Sequence, residues 1–422
     1  MERSNQPDVL VVGAGAAGIV AAWRAATVGA RVTLLEKNDR IGIKILISGG
    51  GKCNITHDGP IEDLLHAFRP NEARFLRPSC YRFTNRDIVG MLTSRGLEVY
   101  TRPDGRIFPV NGTAKDVVAI LQDYLEQARV RIKLNAAVTG VDWDDGALTG
   151  VRLGGGRIPC SQLILSSGGS SYPKTGTTGD AWPWVKKMGH KIVKVRAALA
   201  PIILDPAPPT EWAGVALRDC LLRARQDDKT VARRWGDILF THHGISGPAV
   251  LEISREVTER REHGAVSMEV DLTPDQPFEE LRESYARNAD AFPRRRIREF
   301  VDRVAPGRLV NAIMDSAGVE RAITGAHLSA RHRNQLVSVL KGWNLGNVQR
   351  VPIEKGEVVA GGVALDEVDP QTMRSHLIGG LYLCGEMLDV AGPVGGYNLQ
   401  GAFSTGYVAG ETAARDAANG SL

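Results

Sequence analysis

The first 36 residues contain the pattern that most restricts what this chain can fold into. Val9–Val12 is an apolar run typical of a buried parallel strand, and glycines with GxGxxG spacing (Gly13, Gly15 and Gly18) follow it directly. An alanine-rich helix and a second apolar strand come next, and that strand ends at Glu36. This order is that of a βαβ unit that binds a dinucleotide, and Glu36 suits a bidentate hydrogen bond to the ribose hydroxyls. An acid here would repel a 2′-phosphate, which disfavours NADP.

Each glycine has its own expected role in this unit. Gly13 would permit the tight turn, Gly15 would let a pyrophosphate approach the backbone, and Gly18 would allow close packing of helix and strand. Ala16 and Ala17, at the start of the helix, would present free N–H groups and a partial positive charge to the phosphates.

Further glycines are clustered along the chain. Glycine makes up 47 of 422 residues, about 11% against a usual level of about 7%. After Ile43–Ile47, which we expect to be extended, Ser48–Cys53 offers several backbone N–H groups to anionic or carbonyl oxygens; a flexible surface loop is the alternative. The strand Leu163–Leu165 ends in the stretch Ser166–Asp180, which would lie beside a ligand at the carboxyl end of a sheet.

The end of the chain repeats the pattern of its beginning, in which glycines follow an apolar strand and precede a helix. Leu381–Cys384 reads as a buried strand, and Gly385–Asp389 follows where a strand end meets the crevice of the sheet. Gly395–Asn398 then opens a long helix, Leu399–Ala414. A helix N-terminus behind two glycines suits the pyrimidine end of a flavin, which gains negative charge on reduction. A plain helix start with small residues for packing is the alternative.

The middle of the chain has a different character. Four prolines between residues 201 and 209 mark a boundary, two alternating segments follow, and Phe278–Lys341 is mostly helical by periodicity. We therefore expect a discontinuous dinucleotide-binding domain, residues 1–195 and 350–422, around an insert at residues 196–349. The insert would have a β part at about 196–275 plus 342–349 and a helical part at about 276–341.

The charge distribution gives no segregated basic domain. The net charge is +4 with a pI near 8.8, but residues 196–349 hold 22 Lys and Arg against 21 Asp and Glu. This near-neutral count predicts no nucleic-acid partner. The run Arg294–Arg296 with Arg298 is interpreted as a solvated helix face, with an anionic substrate or a polyanion as the alternatives. His242 and His243 are interpreted as part of a structural loop; contact with substrate or cofactor and metal binding remain alternatives.

Cysteine usage and hydropathy indicate the compartment. The five cysteines are odd in number and widely spaced, without CxxC or a zinc pattern, which favours a reducing cytoplasm and predicts no metal. No apolar run reaches about 18 residues, so we predict no membrane span.

Five motifs together resemble one family. They are GxGAAG…LLEK, KILISGGGKCNIT, SSGGSSYPKTGTTGD, GDILFTHHGISGPA and GLYLCGEMLDVAGPVGGYNLQGAFSTGYVAG. Over about Asp8 to Gly410 the chain resembles the bacterial BaiN/YhiN-like flavoproteins, which include aminoacetone oxidases. The resemblance implies an α/β fold: a discontinuous, glutathione-reductase-like, Rossmann-like FAD-binding domain with an inserted mixed β-barrel-like and helical domain. One FAD and no second Rossmann domain for NAD are implied. Ser166–Ser167 replaces the more usual Ala-Thr, and Cys384 stands where a small residue is common.

The same resemblance implies FAD contacts from both ends of the chain. They fall on Gly13, Gly15, Ala16, Ala17, Gly18, Glu36, Lys37, Lys44, Ser48, Gly49, Gly50, Asn54, Val138, Gly168, Gly385, Glu386, Asp389, Gly396, Tyr397, Asn398 and Leu399.

The expected function is that of an FAD-dependent oxidoreductase which transfers hydride between flavin N5 and a small organic substrate. The resemblance implies both amine oxidation and reduction of conjugated enones, which are opposite directions, with NAD(P)H or O₂ as electron donor or acceptor. Hydride transfer to or from N5 requires no protein acid or base; Tyr397, Asn54 and Lys52 are candidate polar groups near the ring. The alternatives are an RNA-binding or tRNA-modifying flavoprotein, which the charge count disfavours, and an NAD-dependent dehydrogenase.

Overall fold

The structure, a computed structural model, describes residues 7–420 and divides the chain into two units. The first unit comprises the chain up to Val195 and from Val358 onward, and the second comprises Arg196–Glu357. The predicted boundary at which the chain re-enters the first domain is residue 350, whereas residues 350–357 lie with the second unit.

The strands, in chain order, are β1 (Val9–Val12), β2 (Val32–Leu35), β3 (Thr56–His57), β4 (Val99–Thr101), β5 (Arg106–Pro109), β6 (Arg131–Lys133), β7 (Val138–Asp144), β8 (Ala147–Leu153), β9 (Gly156–Pro159), β10 (Leu163–Leu165), β11 (Ile192–Ala198), β12 (Ile202–Asp205), β13 (Ala216–Gln226), β14 (Lys229–Thr241), β15 (Gly244–Ser246), β16 (Ser267–Asp271), β17 (Trp343–Arg350), β18 (Val358–Val363) and β19 (Leu381–Leu383).

The α-helices are α1 (Ala16–Thr27), α2 (Ile43–Ile47), α3 (Ile61–His66), α4 (Pro70–Arg82), α5 (Asn85–Thr93), α6 (Ala114–Gln127), α7 (Trp182–Lys187), α8 (Pro248–Arg260), α9 (Phe278–Ala291), α10 (Arg298–Val301), α11 (Gly307–Ser316), α12 (Ala330–Lys341) and α13 (Tyr397–Asn419). In residues 7–420 no helix has the length and apolar content needed to cross a bilayer.

A five-stranded parallel sheet forms the centre of the first unit. Its order is β19-β10-β1-β2-β6, with Leu10 aligned to Leu163 on one side and to Thr33 on the other. Every residue of β1, β2, β10 and β19 is buried, as expected for parallel strands covered on both faces. Because these strands are parallel, the carboxyl ends of β1 and β19 lie at the same edge of the sheet, although β1 comes from the beginning of the chain and β19 from near its end.

The first and last long helices of this unit pack closely together. A Cβ added at Gly406 or Gly410 of α13 would lie 2.2 Å from the backbone oxygen of Ala17 or Ala21 of α1, respectively. Only a residue without a side chain permits this approach. The spacing of small residues therefore brings the C-terminal helix onto the dinucleotide-binding unit.

Smaller elements of the first unit largely follow their sequence signals. Strands β7, β8 and β9 form the expected three-stranded meander, and α6 begins with the expected capping box of Thr113 and Asp116. The expectation of an extended Ile43–Ile47 is wrong, because this segment is helix α2 with only Ile45 buried. A short apolar run does not distinguish helix from strand by periodicity.

The second unit contains a closed barrel and a helical part. The barrel order is β12-β15-β14-β13-β16-β17. Strand β17, which follows helices α9 to α12 in the sequence, closes the barrel by pairing with β12. The barrel interior and the helices α9 to α12 share one apolar cluster that includes Phe240, Met268, Ile313 and Trp343. The predicted fold class, an FAD-type Rossmann domain with a mixed barrel-like and helical insert, is confirmed.

Candidate functional site

The glycine turn after β1 has the geometry of a phosphate-binding turn. Gly13 has φ +99°, and a Cβ there would lie 2.6 Å from the Ser166 carbonyl oxygen; a Cβ at Gly18 would lie 1.8 Å from the Gly13 oxygen. Both positions therefore admit only glycine. Gly15 differs, because an added Cβ would meet nothing within 4 Å. The open space at Gly15 is thus on the side where a ligand could approach the first turn of α1.

The start of α1 can bind an anion. The first intrahelical hydrogen bond runs from the Ile19 N–H to the Gly15 oxygen (3.0 Å), so the preceding N–H groups, including those of Ala16 and Ala17, have no partner along the helix. No acidic residue lies in the first turn. Backbone donors and the positive end of the helix dipole therefore face the open space beside Gly15.

Glu36, at the end of β2, is buried and already accepts three hydrogen bonds. Its Oε2 accepts from the Ala14 N–H (2.8 Å), and its Oε1 accepts from the backbone and side-chain nitrogens of Asn38 (2.9 and 2.6 Å). A carboxylate offers about four acceptor positions. One position therefore remains for an incoming hydroxyl group.

A loop from a distant part of the sequence crosses the residues after Glu36. Lys37 donates to Thr178 Oγ1 (2.8 Å) and to Asp180 Oδ2 (2.5 Å), while the Asn38 amide donates to the Thr175 oxygen (3.3 Å). Burial alone would raise the pKa of Asp180, but its bonds to Lys37 and Thr178 lower it below the ordinary value. Lys37 therefore holds this loop in place with its charge.

The segment Ser48–Gly51 forms a tight turn. Gly49, Gly50 and Gly51 have φ values of +56°, +67° and +86°, so all three adopt left-handed backbone that favours glycine. A Cβ on Gly50 would meet nothing within 4 Å, and Lys52 beyond it is exposed. Cys53 is buried, and burial raises the pKa of its thiol to about 11. It is therefore no thiolate nucleophile at neutral pH.

Lys44 links three distant segments. Its ammonium group donates to Ser171 Oγ (2.6 Å) and pairs with the carboxylate of Glu386. Glu386 also accepts from the Val359 N–H (3.1 Å). Gly168, with φ +79°, lies beside this carboxylate, since a Cβ there would be 3.9 Å from Glu386 Oε2. The α2 segment, the loop after β10 and the turn after β19 thus meet.

Two further residues of the C-terminal motif hold backbone. Asp389 Oδ1 accepts from the Gly361 N–H (2.8 Å). The Gly385 N–H donates to Thr405 Oγ1 (3.0 Å), which fastens the turn after β19 to α13.

The start of α13 contacts the N-terminal half of the chain directly. In the amide orientation that satisfies its neighbours, Asn54 accepts from the Gly396 N–H (2.9 Å) and donates to the Thr56 oxygen (3.2 Å). Gly396 has φ +93°, and a Cβ there would lie 2.5 Å from the Thr56 backbone. Only glycine therefore allows the helix to begin against β3.

Aromatic rings cover this end of α13. Tyr397 is stacked on His57, with ring centroids 4.6 Å apart, and meets Phe68 edge-on at 6.3 Å. Asn398 binds the backbone of its own loop at Gly392, with bonds of 2.8 and 2.9 Å. The loop before α13 is therefore braced internally. The first helical bond runs from the Gln400 N–H to the Gly396 oxygen, so the N–H groups of Asn398 and Leu399 make no hydrogen bond within the helix.

The structure brings most of the sequence-predicted residues into one unit and into mutual contact. Val138, the first residue of β7, follows a segment that contacts Glu36. Two residues before it, the Ala136 N–H donates to the Glu36 backbone oxygen (2.8 Å). The sequence reasoning missed Asn38, Ser171 and His57, since each acts through contacts with residues far along the chain.

The remaining sequence candidates lie in the second unit. His242 and His243 are both exposed and form the two-residue turn between β14 and β15. No group of three or more His, Cys, Asp or Glu within residues 7–420 is arranged to hold a metal ion. Arg294–Arg296 lies in the turn between α9 and α10, so its interpretation as a helix face is wrong.

Comparisons with known proteins place this geometry in a family. The model of the HI0933-like protein Rossmann domain matches residues 7–412. The 3-dehydro-bile acid delta(4,6)-reductase of Clostridium scindens is 31% identical over 96% of this chain and 98% of its own length. The ribosomal RNA dihydrouridine synthase of Escherichia coli is 29% identical over 95% and 96%, respectively.

Solved structures show the same fold at low identity. The 3-ketosteroid delta1-dehydrogenase of Sterolibacterium denitrificans superposes with a TM-score of 0.55 at 14% identity, covering 98% of this chain and 100% of that one. The 3-ketosteroid-delta4-(5alpha)-dehydrogenase of Rhodococcus jostii gives 0.53 at 14% identity, with 98% of each chain covered. From the family match and the 31% identical relative, we conclude that this chain belongs to the HI0933-like family and is an FAD-dependent oxidoreductase.

Proposed function

We propose that one FAD lies along the contacts described above, from the start of α1 to the start of α13. The unpartnered N–H groups of α1 and the open space at Gly15 suit the pyrophosphate. The remaining acceptor position of Glu36 suits one ribose hydroxyl, rather than the two expected from sequence. The residues proposed from sequence at the C-terminal end, Gly396 to Leu399, would then lie at the isoalloxazine.

The start of α13 would tune the ring electrostatically. The N-terminus of this 23-residue helix carries a partial positive charge, and its first turn contains no acid. Bound FAD supplies a hydride donor or acceptor at N5. The helix end favours the negative charge that the pyrimidine end gains on reduction, so it makes the reduced cofactor easier to form.

We further propose that the reaction is reduction of a carbon–carbon double bond conjugated to a carbonyl group. The observation that carries this proposal is that relatives matched over almost the whole chain share this chemistry in their names. A bile acid delta(4,6)-reductase reduces such a bond in a steroid acid, and dihydrouridine is uridine with its ring double bond reduced. Conjugate reduction of such a bond adds hydride to the carbon remote from the carbonyl group and a proton to the neighbouring carbon.

The proton donor is proposed among the polar groups at the start of α13. Of the polar groups that the sequence predicts near the ring (Lys52, Asn54 and Tyr397), Lys52 and Tyr397 carry groups that can release a proton. The His57 ring stacked on Tyr397 is a further candidate. Replacement of Tyr397 by Phe keeps the ring stack and removes the hydroxyl group. A fall in the rate of double-bond reduction without loss of FAD would identify this hydroxyl as the donor.

The carrier of the double bond has two candidates. A small apolar acid is the first, by analogy with the 31% identical relative. A uracil base within RNA is the second, favoured by the 29% identical relatives from Escherichia coli and Haemophilus influenzae.

We place the reaction in the cytoplasm, because the five cysteines are all free and buried, as in proteins of a reducing compartment. NAD(P)H is the proposed electron donor.

Anaerobic stopped-flow spectroscopy tests the direction of the reaction. The FAD-loaded protein is first reduced by NADH, by NADPH or by light with EDTA as the electron donor, and then mixed with a steroid enone, a uridine-containing RNA or buffer. We expect the flavin absorbance near roughly 450 nm to return with an unsaturated carbonyl compound and not with buffer. Bleaching of the oxidised protein by aminoacetone, with no reoxidation by either double-bond substrate, would instead support amine oxidation.

A further inference from the structure

The charge of the second unit is distributed unevenly, and the near-neutral total conceals this. Residues 196–290 hold 12 Lys and Arg against 17 Asp and Glu, whereas residues 291–341 hold 10 against 4. The helical part after α9 therefore carries an excess of about six positive charges. The prediction of no nucleic-acid partner was made from the average over both segments.

Part of this positive charge is concentrated on adjoining segments. Residues 293–297 pair with residues 323–326 through their backbones. Arg296 and Thr324 form an isolated antiparallel β-bridge. The N–H groups of Gly325 and Ala326 donate to the backbone oxygens of Arg295 and Pro293, respectively (3.0 and 2.9 Å). Helix α12 begins a few residues later with its cap at Ser329. Five arginines on these segments form what we call the arginine patch: Arg294, Arg296, Arg298, Arg331 and Arg333.

The arginines of the patch lack carboxylate partners. In the part of the chain that the structure describes, none of the five forms an ion pair, although neighbouring Arg295 pairs with Glu299 and Arg321 pairs with Asp315. Arg294, Arg296 and Arg331 are exposed. The Nε of Arg333 is buried without a hydrogen-bond partner. The exposed guanidinium groups of Arg294, Arg296 and Arg331 are therefore available to an external anion.

Helix stability does not explain this arrangement. Arg331, His332 and Arg333 occupy the first turn of α12, which contains no acid. Cations at a helix N-terminus are disfavoured, because they oppose the helix dipole. Arginines kept where they disfavour their own helix indicate a role in contact with another molecule.

An exposed aromatic ring lies beside the patch. Phe292 is 46% exposed and lies two residues before Arg294 of the patch. The guanidinium 5.1 Å from its ring centroid belongs to Arg295, which is paired with Glu299 and is not part of the patch. An exposed ring beside unpaired arginines is the combination that binds single-stranded nucleic acid, because the arginines contact phosphates and the ring stacks on a base. An acidic protein surface or an anionic membrane would use the charges but not the stacking.

We propose that the arginine patch and Phe292 form a binding surface for single-stranded or looped RNA. Phosphates contact the exposed arginines of the patch (Arg294, Arg296 and Arg331), and one unstacked base lies against Phe292. This binding concerns the second unit alone and does not depend on the reaction proposed above, so either proposal can fail without the other.

Fluorescence anisotropy with the FAD-loaded protein and a labelled RNA hairpin with a single-stranded loop tests this surface. The test variant is Arg294→Gln/Arg296→Gln/Arg331→Gln. The matched control, Arg86→Gln/Arg129→Gln/Arg233→Gln, removes three exposed arginines that also lack ion pairs in the described structure. We expect the test variant to weaken binding at least tenfold and to make the slope of log affinity against log salt shallower by about 2, at roughly 0.7 per phosphate contact. The control should do neither.

Phe292→Ala separates base stacking from charge. We expect it to weaken RNA binding about tenfold without changing the salt slope, while heparin and anionic vesicles bind the wild type and this variant equally. Equal losses in the test and control variants, no RNA binding by the wild type, or equal RNA binding by wild type and Phe292→Ala would each overturn the proposal. FAD content and enone reduction, measured on the same preparations, report on the proposed reaction independently.

Discussion

Lys44 and Glu386 lie 342 residues apart in the sequence, and their side chains form an ion pair in the structure. The pair is largely buried, with 27% of the Lys44 side chain and 16% of the Glu386 side chain exposed. It joins the segment after the dinucleotide-binding unit to the turn after the last strand of the sheet. The two ends of the chain are thus connected by charge as well as by the packing of α1 on α13.

This ion pair should be detectable as a coupling in stability. Lys44→Met and Glu386→Gln are each expected to lower the free energy of unfolding by about 1–3 kcal/mol, because the remaining partner is left partly buried without its counter-charge. The double variant should lose less than the sum of the two. Urea unfolding of the FAD-free proteins measures this, and strictly additive losses would show that the pair is not formed.

Glu36→Ala should weaken FAD binding by roughly 1–3 kcal/mol, since a charge-assisted bond to a ribose hydroxyl is lost. It also leaves the Ala14 N–H without its acceptor. Isothermal titration of the FAD-free protein measures the affinity, and Glu98→Ala, which removes an exposed acid of the same unit, serves as the control. Equal affinities for the two variants would exclude Glu36 from the site.

His190 makes the stability of the first unit depend on pH. Its side chain is fully buried between Glu367 (3.0 Å) and Ser375 (2.8 Å). Burial lowers its pKa below the ordinary value of 6.5, although Glu367 acts in the opposite direction. The unfolded chain therefore binds a proton more readily than the folded one, so the free energy of unfolding should fall as the pH drops below about 6.5.

Urea unfolding between pH 7.5 and 5 checks this dependence. His190→Gln should lose part of the decrease, whereas His66→Gln, which replaces an exposed histidine of α3, should keep it. A wild-type stability that rises on acidification over this range would contradict the assignment.

Gly410→Ala tests the close approach of α13 to α1. The added methyl group would lie 2.2 Å from the Ala21 oxygen, and separating the helices should cost about 1–3 kcal/mol of unfolding free energy. Gly90→Ala, at an exposed position of helix α5 with nothing within 4 Å of the added Cβ, should leave stability equal or raised by up to about 1 kcal/mol. Denaturant unfolding of both variants gives the comparison; equal stabilities would mean that the helices have room to adapt.

The sequence predicted those parts of the fold whose signal is local. Buried runs such as Val9–Val12 with the glycine spacing identify the βαβ unit, and Thr113 with Asp116 identifies the start of α6. Membership of the flavoprotein family, FAD as cofactor and an oxidoreductase activity are confirmed as well. These expectations came from the resemblance of the five motifs to a known family.

The rest depends on contacts that no local pattern contains. Ile43–Ile47 is a helix because it follows a left-handed Gly42 and presents Lys44 to Ser171, which lies 127 residues away. Similarly, His57 becomes part of the candidate site only through Tyr397, and the number of acceptor positions left on Glu36 is set by the fold around Ala14 and Asn38. The patchy charge of the second unit disappears when it is averaged over the whole insert.

A substitution at Gly15 best separates an effect on FAD binding from an effect on the fold. With φ −82° and ψ −170°, the Gly15 backbone suits any residue, and an added Cβ meets no protein atom within 4 Å. A valine here should therefore leave the fold intact and obstruct only a molecule that approaches the turn. Gly90→Val, with equally open surroundings, controls for the valine itself.

The central claim, that FAD binds along the turn before α1 and reaches the start of α13, is tested most directly by the FAD content of purified Gly15→Val. The measurement is the ratio of absorbance near roughly 450 nm, where flavins absorb, to that at 280 nm. We expect a folded, colourless Gly15→Val with the unfolding midpoint of the FAD-free wild type, beside a yellow Gly90→Val. A yellow Gly15→Val with the full FAD content of the wild type would contradict the claim.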